Sequence, residues 1–378
     1  MKYCKKCLQT DTRPGIKFDE KGVCPACNYH ESLKEVDWEE RRKEMDEIVA
    51  FGKAHNQSGY DCIIGVSGGK DSTRQAFYVK DVLKMKPLLV CLSYPPEQVT
   101  ERGVDNVSNM IKHGFDCITI NPAPQVWRKL MRKAFFEFTN WCKSTELSLF
   151  SSVPRLAIAY QIPLIWWGEN VALQLGDLNV LGESGADGNK MKKANTIAGG
   201  EMKWLLDEEI RKNHVLQYIY PSDKEMEQAN LRITYLGYFW NNWSLVDNGV
   251  FSALRGLEIR NEPPQDIGDT VGVSSLDEDW VTMNQMIKYY KFGFGKVTDY
   301  VNEDIRNGII TREEGKKIIQ KYDGTCSDKY IKSFSDYIGI TVDEYWEQVD
   351  KSVNKNLFER DGNGRWKPKF KAGEDFNA

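Results

Sequence analysis

Apolar and polar positions change rhythm several times along the chain. Residues 1–30 hold few aliphatics and many Cys, Lys, Gly and Pro, too little apolar surface for a core of their own. Over 31–55 charge is dense, and Leu33, Val36, Met45, Ile48, Val49 and Phe51 recur at helical spacing, which predicts an amphipathic connecting helix. From Tyr60 onward, short apolar runs alternate with longer helical patterns. The runs at 61–66, 87–92, 115–120 and 163–167 predict buried strands, with helices near 71–84, 98–113 and 124–160. Continuous apolar runs suit strands covered on both faces, so the expected class is α/β with a doubly wound parallel sheet. After about residue 275 the strand signals cease and helices dominate, among them 280–292, 311–322 and 342–353. The tail from Arg360 is polar and Gly-rich and is expected to fray. The resulting boundaries are 1–32 for a cysteine-rich ribbon, 33–58 for a linker helix, 59–272 for the sheet domain and 273–378 for a helical C-terminal region.

Composition narrows the class. The chain has 378 residues, 41% of them hydrophobic and 28% charged, enough to bury a sizeable core and stay in solution. Lys plus Arg is 51 and Asp plus Glu is 55, so 51 − 55 = −4, and no nucleic-acid partner is expected from so acidic a balance. No apolar run approaches the roughly 18 residues of a membrane span. The opening Met1-Lys-Tyr-Cys4-Lys-Lys-Cys7 lacks the apolar stretch of a signal peptide. A cytoplasmic location and no membrane contact are the expectations.

Nine cysteines are an odd number in a chain too long to need disulfide stapling, which suits a reducing compartment. Cys4-Lys-Lys-Cys7 and Cys24-Pro-Ala-Cys27, with residues 8–23 between them, have the spacing of a four-thiolate site. Each pair forms a turn that aims two sulfurs at one metal, and structural Zn²⁺ is expected, with an iron–sulfur cluster as the alternative. Cys62, Cys91 and Cys117 fall in predicted strands, where a thiol serves as a small core hydrophobe. Cys142 and Cys326 receive no role. The four histidines, His30, His55, His113 and His214, form no HExxH or HxE pattern, so a histidine-built metallohydrolase is not expected.

The most informative stretch is Ile64-Gly-Val-Ser67-Gly68-Gly69-Lys70-Asp71-Ser72, where a predicted strand gives way to a helix. Two glycines let the backbone turn tightly and bring bare amides against a ligand, and the helix that follows aims its free N–H groups at the same place. Ser67, Ser72 and Thr73 add hydroxyls and Lys70 adds a charge. A carboxylate at Asp71 suits a phosphate site chiefly if a cation bridges the two. The stretch is not a Walker A loop, because only three residues separate Gly65 from Gly69 and Asp71 follows Lys70. It resembles the SGGxDS loop of the PP-loop ATP pyrophosphatases, with their adenine nucleotide alpha-hydrolase-like fold. That resemblance implies ATP bound through Val66, Ser67, Gly68, Gly69, Lys70, Asp71 and Ser72, with Lys70 and Asp71 catalytic.

In open parallel sheets, ligands lie beyond the carboxyl ends of the strands. Leu92-Ser93-Tyr94 leaves the second strand there, so Leu92 and Ser93 are candidate adenosine contacts. Gly168 and Glu169 leave the fourth strand, and Glu169 joins Asp71 as a candidate Mg²⁺ ligand. Three further stretches have weaker readings. The Gly-rich 182–193, ending in Lys190, Lys192 and Lys193, reads equally as a cationic lid or as a surface loop. The aromatic-dense 236–243 reads as core, with stacking on a sugar or base as the alternative. Phe292-Gly-Phe-Gly-Lys296, with Asp299 and Arg306, is a candidate to close the site from the helical region.

Taken together, Tyr3-Cys-Lys-Lys-Cys7, Thr12-Arg-Pro-Gly15, Gly22-Val-Cys24, Ser67 to Ser72, Trp167-Gly-Glu169 and Lys291-Phe-Gly-Phe-Gly-Lys-Val-Thr-Asp299 resemble the N-acetyl sugar amidotransferases of bacterial surface-sugar pathways. The resemblance implies conversion of an acetamido group to an acetamidino group on a nucleotide-linked sugar, in the pattern of lipopolysaccharide and O-antigen synthesis. It implies an adenylated imidate, attack by ammonia, and release of AMP and pyrophosphate. It also implies a glutaminase subunit as ammonia source. A tRNA thiolation enzyme of the same superfamily is the alternative.

Overall fold

The structure, a computed structural model, describes residues 1–174, 184–193, 197 and 202–377. Five parallel strands form its centre: β1 (Cys62–Val66), β2 (Pro87–Leu92), β3 (Asp116–Ile120), β4 (Leu164–Trp167) and β5 (Arg232–Tyr235). Their order is β3-β2-β1-β4-β5, with Ile63 facing Leu88 on one side and Ile165 on the other. Successive side chains of a strand point to opposite faces, so each apolar run feeds two cores. Ile63, Leu88, Val90, Ile165 and Trp167 pack with helices Pro124–Phe138 and Cys142–Ala159. Cys62, Ile64, Val66, Leu89, Leu164 and Trp166 pack with Met45, Ile48 and Val49 of helix Trp38–His55 and with Ala76 and Phe77. Two covered faces explain why these strands read as unbroken apolar runs.

Several expectations are corrected. β5 was not foreseen, because Arg232-Ile-Thr-Tyr235 mixes polar and apolar residues and lacks the continuous apolar run of Leu164–Trp167. β3 is one of the two edge strands, and Asp116 and Thr119 are exposed, so it is not a buried strand. The helix expected over 124–160 breaks at Thr139, which takes a φ of 45°, and Pro154 sits inside the second half without ending it. The segment expected as helix 71–84 begins at Lys70 and passes into a π-turn at Tyr78–Val82. The aromatic stretch is core: Leu236, Phe239, Trp240 and Trp243 are buried, and the last two rings stack 5.6 Å apart.

The C-terminal tail does not fray. Phe358–Arg360 and Trp366–Pro368 form an antiparallel hairpin, β6 and β7, and Phe370 and Ala372 are buried beyond it. The amide of Tyr3 donates to Asp375 Oδ1 at 2.8 Å, and the amide of Phe376 donates to the Met1 carbonyl at 2.8 Å. Two apolar anchors in a polar string hold a segment whose average composition suggests none.

The cysteine-rich segment likewise borrows its core. Leu8 is fully buried against Val297, Val301 and Ile319 of helices Lys296–Arg306 and Arg312–Tyr322. Its amide donates to Asn302 Oδ1 at 2.8 Å, and Arg312 Nε donates to the Cys7 carbonyl at 3.1 Å. Helix Lys296–Arg306 is itself started by a carboxylate from elsewhere. Asp323 accepts from the amides of Gly295 (2.7 Å) and Val297 (3.0 Å) and from Thr298 Oγ1 (2.6 Å). A Cβ at position 295 would lie 2.5 Å from Asp323 Oδ1, so the glycine makes room for this cap.

Replacing Asp323 leaves these donors buried without an acceptor. Asp323→Ala is expected to destabilise the fold by about 3 kcal/mol in urea unfolding, and Asp323→Asn by less. Equal midpoints for Asp323→Ala and the parent chain would contradict the capping role.

Candidate active site and cysteine cluster

The loop after β1 turns at Gly68, whose φ of 73° disfavours any side chain and where a Cβ would meet Asn106 Cβ at 2.9 Å. Gly69 then starts helix Lys70–Phe77 with no side-chain cap, so the first-turn N–H groups have no internal claimant. They open on a cavity of about 220 Å³. Val66, Ser67, Gly69, Lys70, Asp71 and Ser72 form one wall, Leu92 adds the end of β2, and Gly168 and Glu169 add the segment beyond β4. Helix Cys142–Ala159 closes the apolar side with Leu149, Phe150 and Val153. The cavity lies at the β1–β4 junction, where the strand order reverses direction.

Two expected contacts are not on its wall. Gly68 packs beneath the loop and serves its turn, while Ser93 directs its hydroxyl to the Tyr94 carbonyl at 3.3 Å and its amide to the Ile120 carbonyl. The stretch 292–296 with Asp299 and Arg306 does not close this cavity either. Lys296 pairs with Asp269 at 2.9 Å behind it, and Arg306 donates to the Leu173 carbonyl at 3.3 Å. In the Gly-rich segment, residues 182–183 lie outside the described residues. Ala186–Gly188 is fastened to β5, since the amides of Gly188 and Tyr235 donate to the Ile233 and Ala186 carbonyls, and Lys192 pairs with Asp223.

Charge at the loop is held tightly. Lys70 is 4% exposed, and its Nζ donates to Asp71 Oδ2 at 2.7 Å and to Ser274 Oγ at 3.0 Å. Ser274 in turn shares a short hydrogen bond with the Tyr300 hydroxyl. The other oxygen of Asp71 accepts from Asn248 Nδ2 at 2.7 Å, and Ser252 Oγ donates to the Lys70 carbonyl at 2.8 Å. Gln75 Nε2, on the same helix, and Glu169 Oε2, across the cavity, are buried with no partner among the described residues. Burial, with the Asp71 charge adding to it, pushes Glu169 up to about 7. An unclaimed carboxylate oxygen beside Asp71 is what a bound cation would satisfy.

Gln75, Asn248, Ser274 and Tyr300 were missed by sequence reasoning. Gln75 was within reach, since it stands four residues after Asp71 and so on the same helical face. The other three come from distant segments with no local signal.

The loop that brings Ser274 is braced from outside. Arg260 donates to the Ser275 and Glu278 carbonyls at 2.6 and 2.7 Å and pairs with Asp279 at 2.8 Å, as Arg102 does at 3.0 Å. Glu278, almost fully buried among them, accepts from the Val281 amide, and burial followed by the Asp277 charge pushes it up to about 8.

At the N-terminus, the ligand atoms of Cys4, Cys7, Cys24 and Cys27 all lie within 4.8 Å of one another and all four residues are buried. Cys4 and Cys27 sulfurs are 3.9 Å apart and those of Cys7 and Cys24 are 3.7 Å apart. The amides of Gln9 and Cys24 donate to Cys7 and Cys4 sulfurs at 3.4 and 3.2 Å, the kind of outer support that orients thiolate ligands. The cluster can hold one metal ion. Of the other cysteines, Cys142 lies against Asn284 and Cys326 against the Ser327 carbonyl, and burial pushes both thiols up, Cys326 to about 12. No cysteine lines the loop cavity.

Comparison with known proteins places the C-terminal region. Residues 274–371 match the family model described as LPS biosynthesis protein WbpG-like, C-terminal domain, which supports a role in surface-glycan synthesis. A stretch of 112 residues is 30% identical to the uncharacterized protein MJ1599 of Methanocaldococcus jannaschii and covers 29% of this chain. The match spans 39% of that relative's length. Among solved structures, the U34-tRNA thiolase NcsA from Methanococcus maripaludis, with its 4Fe–4S cluster, aligns over 93% of this chain and 89% of its own at 12% identity and a TM-score of 0.30. So loose a likeness supports no inference about the site.

Two outcomes follow from this geometry. Folded Glu278 holds a proton that the unfolded chain releases near 4.5, so its contribution to stability falls as pH rises from about 4.5 to 8. Glu278→Gln is expected to raise the melting temperature more at pH 8 than at pH 5, and equal shifts at both would contradict a buried neutral acid. Cys24→Ser is expected to lose bound metal and melt lower, as measured by elemental analysis and thermal unfolding. A metal-free variant with unchanged stability would exclude the structural role.

Proposed function

We propose that the chain is an ATP-dependent, AMP-forming amidotransferase of the PP-loop type. It converts an acetamido group of a nucleotide-linked sugar into an acetamidino group in lipopolysaccharide or related surface-glycan synthesis, using ammonia from a glutaminase subunit. The observation that supports this most directly is the uncapped helix N-terminus at Gly69, set against the Lys70–Asp71 pair and the unpartnered Glu169 oxygen at one sheet junction. The surface-glycan half of the reading rests on the match over 274–371.

ATP enters as a substrate. The free amides of the loop and the Lys70 ammonium bind its outer two phosphoryl groups, and Ser274, held by Tyr300, keeps Lys70 aimed. Asp71 and Glu169 would hold Mg²⁺, which supplies positive charge against the departing pyrophosphate. Leu149, Phe150, Val153 and Trp167 keep water from a carbon that would otherwise revert to amide. The acetamido oxygen bonds to the α-phosphorus as pyrophosphate leaves, and ammonia takes its place on carbon, so the oxygen finishes on AMP. No protein nucleophile takes part, and positioning with charge neutralisation supplies the rate.

For the cysteine cluster the proposed ion is Zn²⁺. Thiolates bound tetrahedrally at about 2.3 Å stand about 3.8 Å apart, which the 3.7 and 3.9 Å separations match. A cuboidal iron–sulfur cluster, with four irons between its ligands, needs them wider. All four positions are then protein-filled, so the role is structural, as a ribbon over 1–32 joined by a linker helix over 33–58 to a PP-loop domain over 59–272 and a helical region over 273–378. No helix among the described residues is long and apolar enough to cross a membrane, and a cytoplasmic site of action without membrane or nucleic-acid partners completes the proposal. The tRNA thiolation alternative would call for an open thiol beside the loop, where no cysteine stands.

With ATP, Mg²⁺, ammonia and a panel of nucleotide-linked acetamido sugars, Asp71→Asn is expected to cut AMP formation by at least a hundredfold while leaving the melting temperature within a few degrees. With ¹⁸O in the acetamido group, label is expected in AMP. ADP as product, or unlabelled AMP, would refute the reaction.

A further inference from the structure

A second cavity, of about 400 Å³, lies where the cysteine-rich segment, the helix break at 139–141 and helix Val281–Phe292 meet. Arg13, Lys143, Lys288 and Lys291 line it, and no carboxylate does so among the described residues. Asp299 behind the wall pairs with Arg13 and, at 3.0 Å, with Lys288. Lys143 and Lys291 have no acid partner among the described residues. Among the described residues the Lys291 ammonium donates to the Phe138 and Thr139 carbonyls, at 2.6 and 2.9 Å, and burial lowers it to about 8, a shift that an anion at this point would oppose.

The same cavity has features that phosphate alone would not use. Asn284 Oδ1 and Gln285 Oε1 are buried acceptors with no partner among the described residues, suited to the N–H of a base or a ribose hydroxyl. Phe292 offers an aromatic surface alongside them. Position adds the connection to chemistry. Helix Cys142–Ala159 borders both cavities, with Lys143 in this one and Phe150 in the loop cavity. Seven residues at 1.5 Å each place those two side chains about 10 Å apart along the axis, a span that one sugar ring and its phosphate link can bridge.

We infer that this second cavity binds the nucleoside diphosphate half of the sugar substrate, so that the acetamido group is carried on the sugar towards the loop. The inference rests on the nucleotide-linked substrate proposed above.

The test is calorimetric titration of UDP, GDP, CDP and dTDP into the full chain saturated with α,β-methylene ATP. One of the four is expected to bind, more weakly as NaCl is raised, and Lys143→Ala and Lys291→Met are each expected to weaken it at least tenfold. Lys291 also staples the helix break, so thermal melts must accompany its variant. Lys143, half-buried and in no ion pair, gives the same reading without that risk. The assignment is overturned if none of the four binds, if Lys143→Ala binds as the parent does, or if a diphosphate binds only when α,β-methylene ATP is left out, which would put it in the loop cavity. Each of these outcomes is separate from AMP formation, whose absence would sink the reaction while leaving diphosphate binding to stand or fall alone.

Discussion

Between β1 and β4 the sheet changes the direction in which its connections run, and the site depends on the gap this leaves. The helices that follow β1 and β2 cover one face, while the long connection from β3 to β4 returns over the other. Two neighbouring strands therefore send their chains apart at their carboxyl ends, and no backbone fills the crevice between them. A glycine turn and an uncapped helix start occupy one lip, and Glu169 occupies the other. Had either strand carried its connection over the opposite face, Asp71 and Glu169 would not look across the same space.

The charges in that crevice are costly to bury, and the way they are held shows what they are kept for. Lys70 is desolvated yet has only one carboxylate and one hydroxyl as partners, while Asp71 is fixed on its far side by Asn248. Such an arrangement orients both groups without saturating the cavity face, which suits a ligand that brings its own charge. This support comes from outside the sheet. Asn248 and Ser252 belong to helix Leu245–Ala253, and Ser274 and Tyr300 belong to the region that matches the surface-glycan family model. The C-terminal helices are therefore part of the loop's support as well as a neighbouring layer.

The cysteine cluster extends the same interdependence. Its four sulfurs make a knuckle too small to fold alone, and Leu8 beside them is buried only because Val297, Val301 and Ile319 receive it. The strand-like contact of residues 1–3 with 375–376 closes the arrangement. Arg13, from this segment, and Lys288 and Lys291, from helix Val281–Phe292, then face one basic cavity. The cysteine-rich segment is thus a wall of that cavity, so whatever fixes the four sulfurs also fixes the wall.

The parts written in the sequence are those whose chemistry is local. Apolar runs bounded by turn residues specify buried strands, paired CxxC turns specify a cysteine cluster, and a Ser-Gly-Gly run before a helix specifies a tight turn with bare amides, because each needs only neighbours within a few residues. The edge position of β3, the existence of β5 and the break at Thr139 were not legible, since they depend on which strand lies last and on what packs against a helix. The same holds for Ser274, Tyr300 and Asn248, which sit more than 170 residues from the loop they serve. The tail from Arg360 is the sharpest case. Its composition is that of a frayed end, and only the presence of a surface able to bury Phe370 and Ala372 makes it structure. Local stereochemistry and period set what each segment can become; burial against distant partners decided which of those possibilities was used.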